Sequence, residues 1–223
     1  MKKFEFTGET KTLLDGTVLH RIEALVRIEF SCMAVEIGEL GGWIEKENNL
    51  SHDGNAWVFG NAEVYGNARV CGNAEVCGDA WVCGDARVCD DARVCDDASV
   101  YGNAEVCGDA RVCGDARVYD DARVCGNTEV YGDAKVCGNA EVFRMEHYLV
   151  MGPIGSRNAF TTFFRTKERN IKVICGCFFG TIDEFLAKVK QTHGDSKHAK
   201  VYRAAVEVAL AQLEDVERRN NNA

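Results

Sequence analysis

A glycine-rich loop in the last third of the chain carries the residues best suited to binding an anion. Residues 152–158 read GPIGSRN, and the loop ends in Ser156, Arg157 and Asn158. A hydroxyl, a guanidinium and an amide all donate hydrogen bonds, and arginine matches the geometry of phosphate and carboxylate groups. The loop therefore predicts a site for a small anionic, nucleotide-like ligand. The alternative is that Arg157 is only a structural turn residue.

Two further residues extend this candidate site. Thr181 and Glu184 have the spacing of a capping box, which predicts that a helix begins after Thr181. Helix N-termini attract anions, so Thr181 joins the predicted ligand-binding residues, together with His193. Cys175, Cys177 and His193 together would supply only three ligands, which falls short of a closed zinc site. We therefore predict no metal site and no cofactor.

A small α+β domain over residues 144–223 must hold these residues in place. The apolar stretches HYLVMG, AFTTFFRT and IKVICGCF predict strands, and Ser196 is a predicted cap of a second helix. Cys175 and Cys177 share a predicted strand face with apolar residues, which predicts that both lie in the core. The apolar positions of the second helix predict a broad buried stripe: Val201, Tyr202, Ala205, Val208, Leu210, Leu213 and Val216.

The middle of the chain, residues 54–143, repeats one six-residue pattern fifteen times without insertion or deletion. Valine recurs at the fifth position of each repeat, and alanine, or Thr128 in one repeat, stands two residues before it. Because residues two apart in an extended segment face the same side, these two positions point inward and their neighbours point outward. Glycine, asparagine and aspartate between the strands favour sharp corners. The pattern therefore predicts a closed coil of short strands.

This pattern resembles the hexapeptide repeat of the left-handed parallel β-helix, in which three hexapeptides form one triangular turn. We predict a mainly β protein, with a left-handed parallel β-helix of about five triangular coils over residues 54–143. A β-rich N-terminal cap over residues 1–53 and the small C-terminal α+β domain complete the fold. Motifs before the repeat, LxRIxAL at residues 19–25 and GxLGGWI at residues 38–44, resemble hexapeptide-repeat proteins of bacteriophages and prophages.

Many hexapeptide-repeat proteins are acyltransferases, and the resemblance implies that such an enzyme would use a histidine on or beside the coils as general base. Residues 54–143 contain no histidine and no inserted loop, while His52 and His147 only flank the repeats. We therefore predict no catalytic residue and a non-enzymatic binding protein, a phage or prophage accessory protein with the β-helix as scaffold. An acyltransferase, and a self-assembling or DNA-mimicking rod, are the alternatives.

The outward positions of the repeat supply a predicted interface and a set of thiols. Nine of the twelve cysteines fall in outward columns. We predict reduced thiols there, because the N-terminus has no apolar leader and because in-register cysteines on parallel strands lie at the edge of disulfide geometry. Metal binding and redox sensing are the alternatives. Exposed aromatic residues predict a self-association face of a homo-oligomer, a trimer or a dimer: Trp57, Trp81, Tyr65, Tyr101 and Tyr119.

The charge of the chain restricts its partners. The formal net charge is −9, and Asp79, Asp97, Asp115 and Asp133 fall in one corner column of the repeat. An acidic surface disfavours direct binding to nucleic acid. We predict a cytoplasmic protein that engages no membrane and whose partner is a host protein or a small anionic ligand.

Overall fold

A computed structural model describes residues 1–31 and 33–214 of the chain. The N-terminal region contains Phe4–Thr12 (β1), Val18–Ala24 (β2), Ile28–Glu29 (β3), Ala34–Val35 (β4) and Leu40–Ile44 (β5), followed by a 3-10 turn at Glu47–Asn49. Each hexapeptide then contributes one two-residue strand, numbered β6 to β20: Trp57–Val58, Glu63–Val64, Arg69–Val70, Glu75–Val76, Trp81–Val82, Arg87–Val88, Arg93–Val94, Ser99–Val100, Glu105–Val106, Arg111–Val112, Arg117–Val118, Arg123–Val124, Glu129–Val130, Lys135–Val136 and Glu141–Val142. The C-terminal region contains a 3-10 turn at Met145–His147, then Tyr148–Ile154 (β21), Ala159–Arg165 (β22), Ile171–Cys175 (β23), Phe178–Thr181 (β24), Ile182–His193 (α1) and Lys197–Glu214 (α2).

Strands eighteen residues apart pair in parallel, which stacks the chain into a β-solenoid. Val82, for example, lies opposite Val64 on one side and Val100 on the other. Three sheets result, with the strand orders β5-β7-β10-β13-β16-β19, β8-β11-β14-β17-β20 and β6-β9-β12-β15-β18. The predicted fold class is confirmed. The six strands of the first sheet give about six turns rather than five, because β5 precedes the repeats yet occupies a coil position.

The interior of the solenoid consists of the alanine and valine positions of the repeats. All fourteen alanines and all fifteen valines of the pattern are fully buried. Thr128 takes the fifteenth alanine position, and its hydroxyl donates to the Cys125 carbonyl oxygen at 2.9 Å. The buried threonine is thereby satisfied, as a polar group in an apolar interior must be.

Aspartate replaces glycine at three corners that have left-handed backbone. Asp90, Asp96 and Asp120 have φ between 59° and 61°. The Oδ2 atom of each accepts a hydrogen bond from the backbone amide of the glycine one coil later, at 3.0 to 3.2 Å. Each carboxylate therefore ties its corner to the next coil, which offsets part of the cost of the left-handed conformation.

The N-terminal strands cover the first coil. β1 and β2 form a hairpin, and β2 pairs with β5 at the end of the first solenoid sheet. Asp15-Gly16 in the sequence predicts a two-residue turn here, but the connection comprises the five residues 13–17. Trp57 is fully buried beneath this cap, where its ring meets the Phe4 ring edge-on at 6.5 Å. The prediction that Trp57 is an exposed interface residue is therefore wrong. Trp57 belongs to the first hexapeptide, and the N-terminal hairpin packs over the coil that this hexapeptide begins.

A buried lysine joins the cap to the first coil. Lys3 is 3% exposed, and its ammonium donates to the carbonyl oxygens of Ala56 at 2.7 Å and Gly54 at 3.2 Å. Burial lowers the pKa of Lys3 from 10.5 to about 8, although nearby Asp53 opposes the shift. Between these two values the unfolded chain holds a proton that the folded chain has released.

We therefore expect a rise in pH from 8 to 10.5 to stabilise the wild-type fold relative to that of Lys3→Met. Urea unfolding of both proteins at several pH values measures the difference in free energy. Lys2→Met is the matched control, because the Lys2 side chain is 54% exposed. An equal pH dependence in wild type and Lys3→Met would contradict the lowered pKa.

The C-terminal sheet lies between the last coil and the two helices. Its strands form the antiparallel order β21-β22-β23-β24. Phe164 packs into the solenoid core, whereas its neighbour Phe163 packs against α1 and α2. The Tyr148 hydroxyl donates to the Glu129 carbonyl oxygen at 2.5 Å, and the Lys167 amide donates to the Asn139 carbonyl oxygen at 2.9 Å. The region therefore closes the second end of the solenoid. Val216, predicted on the buried stripe of α2, lies outside the described residues.

Candidate functional site

A cavity of about 170 Å³ lies on the helix-bearing side of the C-terminal sheet. The β21–β22 turn, the β23–β24 turn and the facing sides of α1 and α2 enclose it. We call it the C-terminal pocket, and it is lined by Ser156, Arg157, Ala159, Cys175, Gly176, Cys177, Phe178, Phe185, Lys188, Val189, Thr192, His193 and Tyr202.

The mouth of the C-terminal pocket is basic. Arg157 and Lys188 are exposed there, and His193 is half-buried. The Arg157 guanidinium lies against the β23–β24 turn, since a Cβ on Gly176 would be 3.4 Å from Arg157 Nη1. No acidic residue is among the described residues that line the pocket. Within the described part of the chain neither Arg157 nor Lys188 forms an ion pair, and the Lys188 ammonium donates only to the neutral Gln191 side chain, at 3.2 Å. The two fixed positive charges are therefore available to an anion.

The base of the pocket is aromatic. The Phe185 ring lies 5.4 Å from the Phe178 ring and 5.4 Å from the Tyr202 ring, to which it is nearly perpendicular. Tyr202 is nearly buried, and its hydroxyl lies 3.7 Å from the Cys175 thiol. Burial, followed by this thiol contact, raises the pKa of Tyr202 to about 12. Tyr202 is therefore a neutral wall at physiological pH, and a planar apolar group would pack against this aromatic base.

Ser156, Arg157 and His193, three of the predicted ligand-binding residues, line the same pocket although His193 is far from the others in sequence. Asn158 belongs to the same turn, has φ of 47° and does not line the pocket. The structure also corrects the expectation that Cys175 and Cys177 are core residues. Cys175 is half-buried at the pocket, and Cys177 is exposed because it belongs to the turn after β23.

Thr181 lies away from the pocket, where it caps α1. Its hydroxyl accepts from the Glu184 amide at 3.3 Å, and the Glu184 carboxylate accepts from the Thr181 amide at 2.7 Å. The hydrogen bond from the Thr181 amide, followed by one from the Thr181 hydroxyl at 3.1 Å, lowers the pKa of the Glu184 carboxyl. The predicted capping box is confirmed, but the chain's own carboxylate already occupies this helix N-terminus, where an external anion was expected to bind.

Sequence reasoning missed the pocket residues that α1 contributes. Phe185, Lys188, Val189 and Thr192 all line the cavity. Their spacing of three, four and seven residues places them on one helix face. That periodicity was readable in the sequence, but only the packing of α1 against the sheet shows that this face borders the loop containing Arg157.

The predicted interface residues other than Trp57 lie on the first solenoid sheet. Trp81 stacks on Tyr101 with a centroid distance of 5.3 Å, and Tyr101 stacks on Tyr119 at 5.0 Å. Tyr65 lies in the same column and contacts the Cys83 thiol. All four side chains are half-buried. Because three rings cover one another's faces, they present mainly their edges to a partner, and self-association stays a prediction.

One pair of column cysteines corrects the prediction of reduced thiols. Cys107 and Cys125 form a disulfide. Adjacent coils place their Cα atoms 4.6 Å apart, near the lower limit of the usual range of about 4.4–6.8 Å, so the spacing permits the bond. The other column cysteines are free thiols: Cys71, Cys77, Cys83, Cys89, Cys95, Cys113 and Cys137. Cys32 lies outside the described residues.

Comparison with known proteins supports the repeat architecture. The sequence model of a family described as YdcK Beta solenoid repeat matches residues 110–126, a segment that contains three successive solenoid strands, β15 to β17. No curated protein matches the chain significantly. The chain is therefore similar to β-solenoid repeat proteins over residues 110–126.

Among the described residues, neither helix combines the length and apolar character required to cross a bilayer.

Proposed function

We propose that this protein is a non-enzymatic binding protein that takes up a small organic anion in the C-terminal pocket. The observation that carries the proposal is the pair Arg157 and Lys188 at the mouth of a cavity whose described lining contains no acidic residue. The solenoid serves as a rigid scaffold. We further propose the biological setting that the sequence suggests, an accessory protein of a phage or prophage acting in a host cell.

The composition of the pocket favours an anion that carries a planar ring. Phe178 and Phe185 would pack against the ring, while Arg157 and Lys188 would hold a phosphate or carboxylate at the mouth. The volume of about 170 Å³ is below the roughly 300–1,000 Å³ of pockets for drug-sized ligands. A nucleotide-like anion therefore fits with only its base or its phosphate enclosed.

The histidines beside the solenoid support the non-enzymatic interpretation. His52 Nδ1 accepts from the Lys3 amide at 3.1 Å, and His147 Nδ1 accepts from the Phe143 amide at 3.3 Å. Burial lowers the pKa of His147, which favours the neutral form that can accept this hydrogen bond. Both imidazoles thus hold backbone groups at the ends of the coil stack.

Lys188→Gln should weaken binding of adenosine monophosphate, the probe of choice, by about 5- to 30-fold. A rim ammonium that contacts an anion contributes about 1–2 kcal/mol, which sets this range. Isothermal titration calorimetry measures the affinity, and native mass spectrometry of freshly expressed protein detects a retained ligand. Lys190→Gln is the matched control, since Lys190 is an exposed lysine on the same helix that does not line the pocket.

Inorganic phosphate and benzoate separate the two parts of the proposed ligand. If benzoate binds more tightly than phosphate, most of the affinity comes from the aromatic residues at the base of the pocket. Equal affinity of wild type and Lys188→Gln for adenosine monophosphate, or no binding by wild type of any of the three anions, would overturn the proposal.

A further inference from the structure

We propose that Cys95, Asp96 and Cys113 form a binding site for a borderline divalent metal ion of the zinc type, separate from the C-terminal pocket. The two thiol sulfurs and a carboxylate oxygen of Asp96 all lie within 4.8 Å of one another. The residues belong to two successive coils, since Cys113 lies one coil after Cys95. The inference goes beyond the proposed anion binding and does not depend on it.

The ligand atoms are close enough to converge on one ion. Two sulfurs bound to a tetrahedral zinc ion at about 2.3 Å are separated by about 3.8 Å. Because the separations do not exceed 4.8 Å, side-chain rotations that move the sulfur atoms by no more than about 1 Å complete the site. Cys95 and Cys113 are half-buried and Asp96 is exposed, so an ion has direct access and water can supply a fourth ligand.

The backbone fixes Asp96 beside the two thiols. Asp96 Oδ2 accepts from the Gly114 amide at 3.1 Å, which joins Asp96 to the coil that carries Cys113. Oδ1 accepts no hydrogen bond from the described residues and stays available to an ion. The thiols of Cys77 and Cys113 both contact the Cys95 thiol, so the site lies within a continuous row of sulfur atoms.

The surrounding charges favour a cation. The acidic edge, which comprises Asp79, Asp97, Asp115 and Asp133, runs along the same corner of the solenoid, and all four side chains are exposed. Arg93 and Arg111 lie on the adjoining face, but Arg93 pairs with Glu75 at 2.6 Å and Arg111 with Glu129 at 3.6 Å. The acidic edge therefore raises the local concentration of cations.

The mixed ligand set defines the class of metal. Thiolates select soft and borderline ions, whereas magnesium and calcium require oxygen ligands alone. Binding converts two thiols to thiolates and releases two protons, while Asp96 binds as the carboxylate. The oxidation state of the metal and of the cysteines is unchanged.

The neighbouring cysteine column provides an internal comparison. Cys89, Asp90 and Cys107 occur in the same order and at the same spacing as the proposed ligands. Cys107, however, is bonded to Cys125, so this second set lacks one thiol. Cys89→Ser is therefore matched to Cys95→Ser in residue type, in the aspartate that follows and in corner position.

Titration of the full chain, purified without reductant, with cobalt(II) tests the proposal. We expect one ion per chain, with sulfur-to-cobalt charge-transfer absorption in wild type and in Cys89→Ser. Cys95→Ser and Cys113→Ser should lose this absorption, and competition with zinc should show affinity reduced by at least about 100-fold. Asp96→Asn should weaken zinc binding while the protein stays folded by circular dichroism.

Two results would overturn the proposal. One is a cobalt spectrum without sulfur-to-metal charge transfer in folded wild-type protein. The other is equal zinc affinity in Cys95→Ser and Cys89→Ser, which would assign any bound metal to another group. Because the substituted side chains are half-buried or exposed, these variants should keep the solenoid intact, and the comparison does not depend on stability.

Discussion

We expect the replacement of Val118 with aspartate to unfold the solenoid, and the same replacement of Arg117 to leave it folded. The two residues form one strand, β16, but Val118 is fully buried and Arg117 is exposed. Val118 pairs with Val100 and Val136 in the adjacent coils, so a carboxylate there would face apolar side chains. A buried charge without a partner costs at least about 4 kcal/mol, a large part of the stability of a typical domain.

Urea unfolding monitored by far-UV circular dichroism measures this effect. Arg117→Asp introduces the same side chain into the same strand and controls for the change in composition. Each coil of a solenoid contacts only its neighbours, so damage to an interior coil separates the two capped ends. A free energy of unfolding for Val118→Asp within about 1 kcal/mol of that for Arg117→Asp would contradict the assigned inward position, given the magnitudes expected for buried charge.

The solenoid was predictable because its determinants are local and repeated. Every hexapeptide carries the inward valine, fourteen of the fifteen carry the inward alanine, and each corner is built from glycine, asparagine or aspartate, so one physical argument applies fifteen times. The capping box at Thr181 and the hairpin at Asp15-Gly16 were readable for the same reason, since each depends on a few adjacent residues. Local chemistry thus accounts for the elements and for the coil register.

The sequence predictions that the structure corrects concern contacts between segments that are distant in the chain. Trp57 has the same repeat position as Trp81, and only the N-terminal hairpin, packed from more than thirty residues away, makes one buried and the other half-buried. The disulfide between Cys107 and Cys125 depends on the actual distance between coils, which the repeat period does not determine. The same limit applies to the candidate site, because Arg157 and Lys188 meet only after α1 packs on the sheet.

A β-carbon at Gly155 should disrupt the C-terminal pocket and destabilise the region around it. Gly155 has φ of 75°, and an added Cβ would lie 1.8 Å from the Tyr202 hydroxyl oxygen and 2.2 Å from Tyr202 Cζ. Tyr202 cannot move freely, because it is nearly buried and packs against Phe185 and His193. The left-handed backbone and the overpacking each cost about 1–3 kcal/mol, so we expect Gly155→Ala to lose about 2–6 kcal/mol.

Gly132→Ala is the control that separates the steric clash with Tyr202 from the free-energy cost of placing alanine in a left-handed backbone conformation. Gly132 has φ of 63°, and an added Cβ there would meet nothing within 4 Å. Thermal unfolding should therefore show a small loss for Gly132→Ala and a larger one for Gly155→Ala, with amide hydrogen exchange accelerated in β21, β22 and α2. Because Tyr202 forms the base of the C-terminal pocket, Gly155→Ala should also lose adenosine monophosphate binding, which rests on the proposed function. Equal stability of the two variants would show that Tyr202 yields to the added methyl group, and the pocket wall would then be too compliant to select a planar ligand.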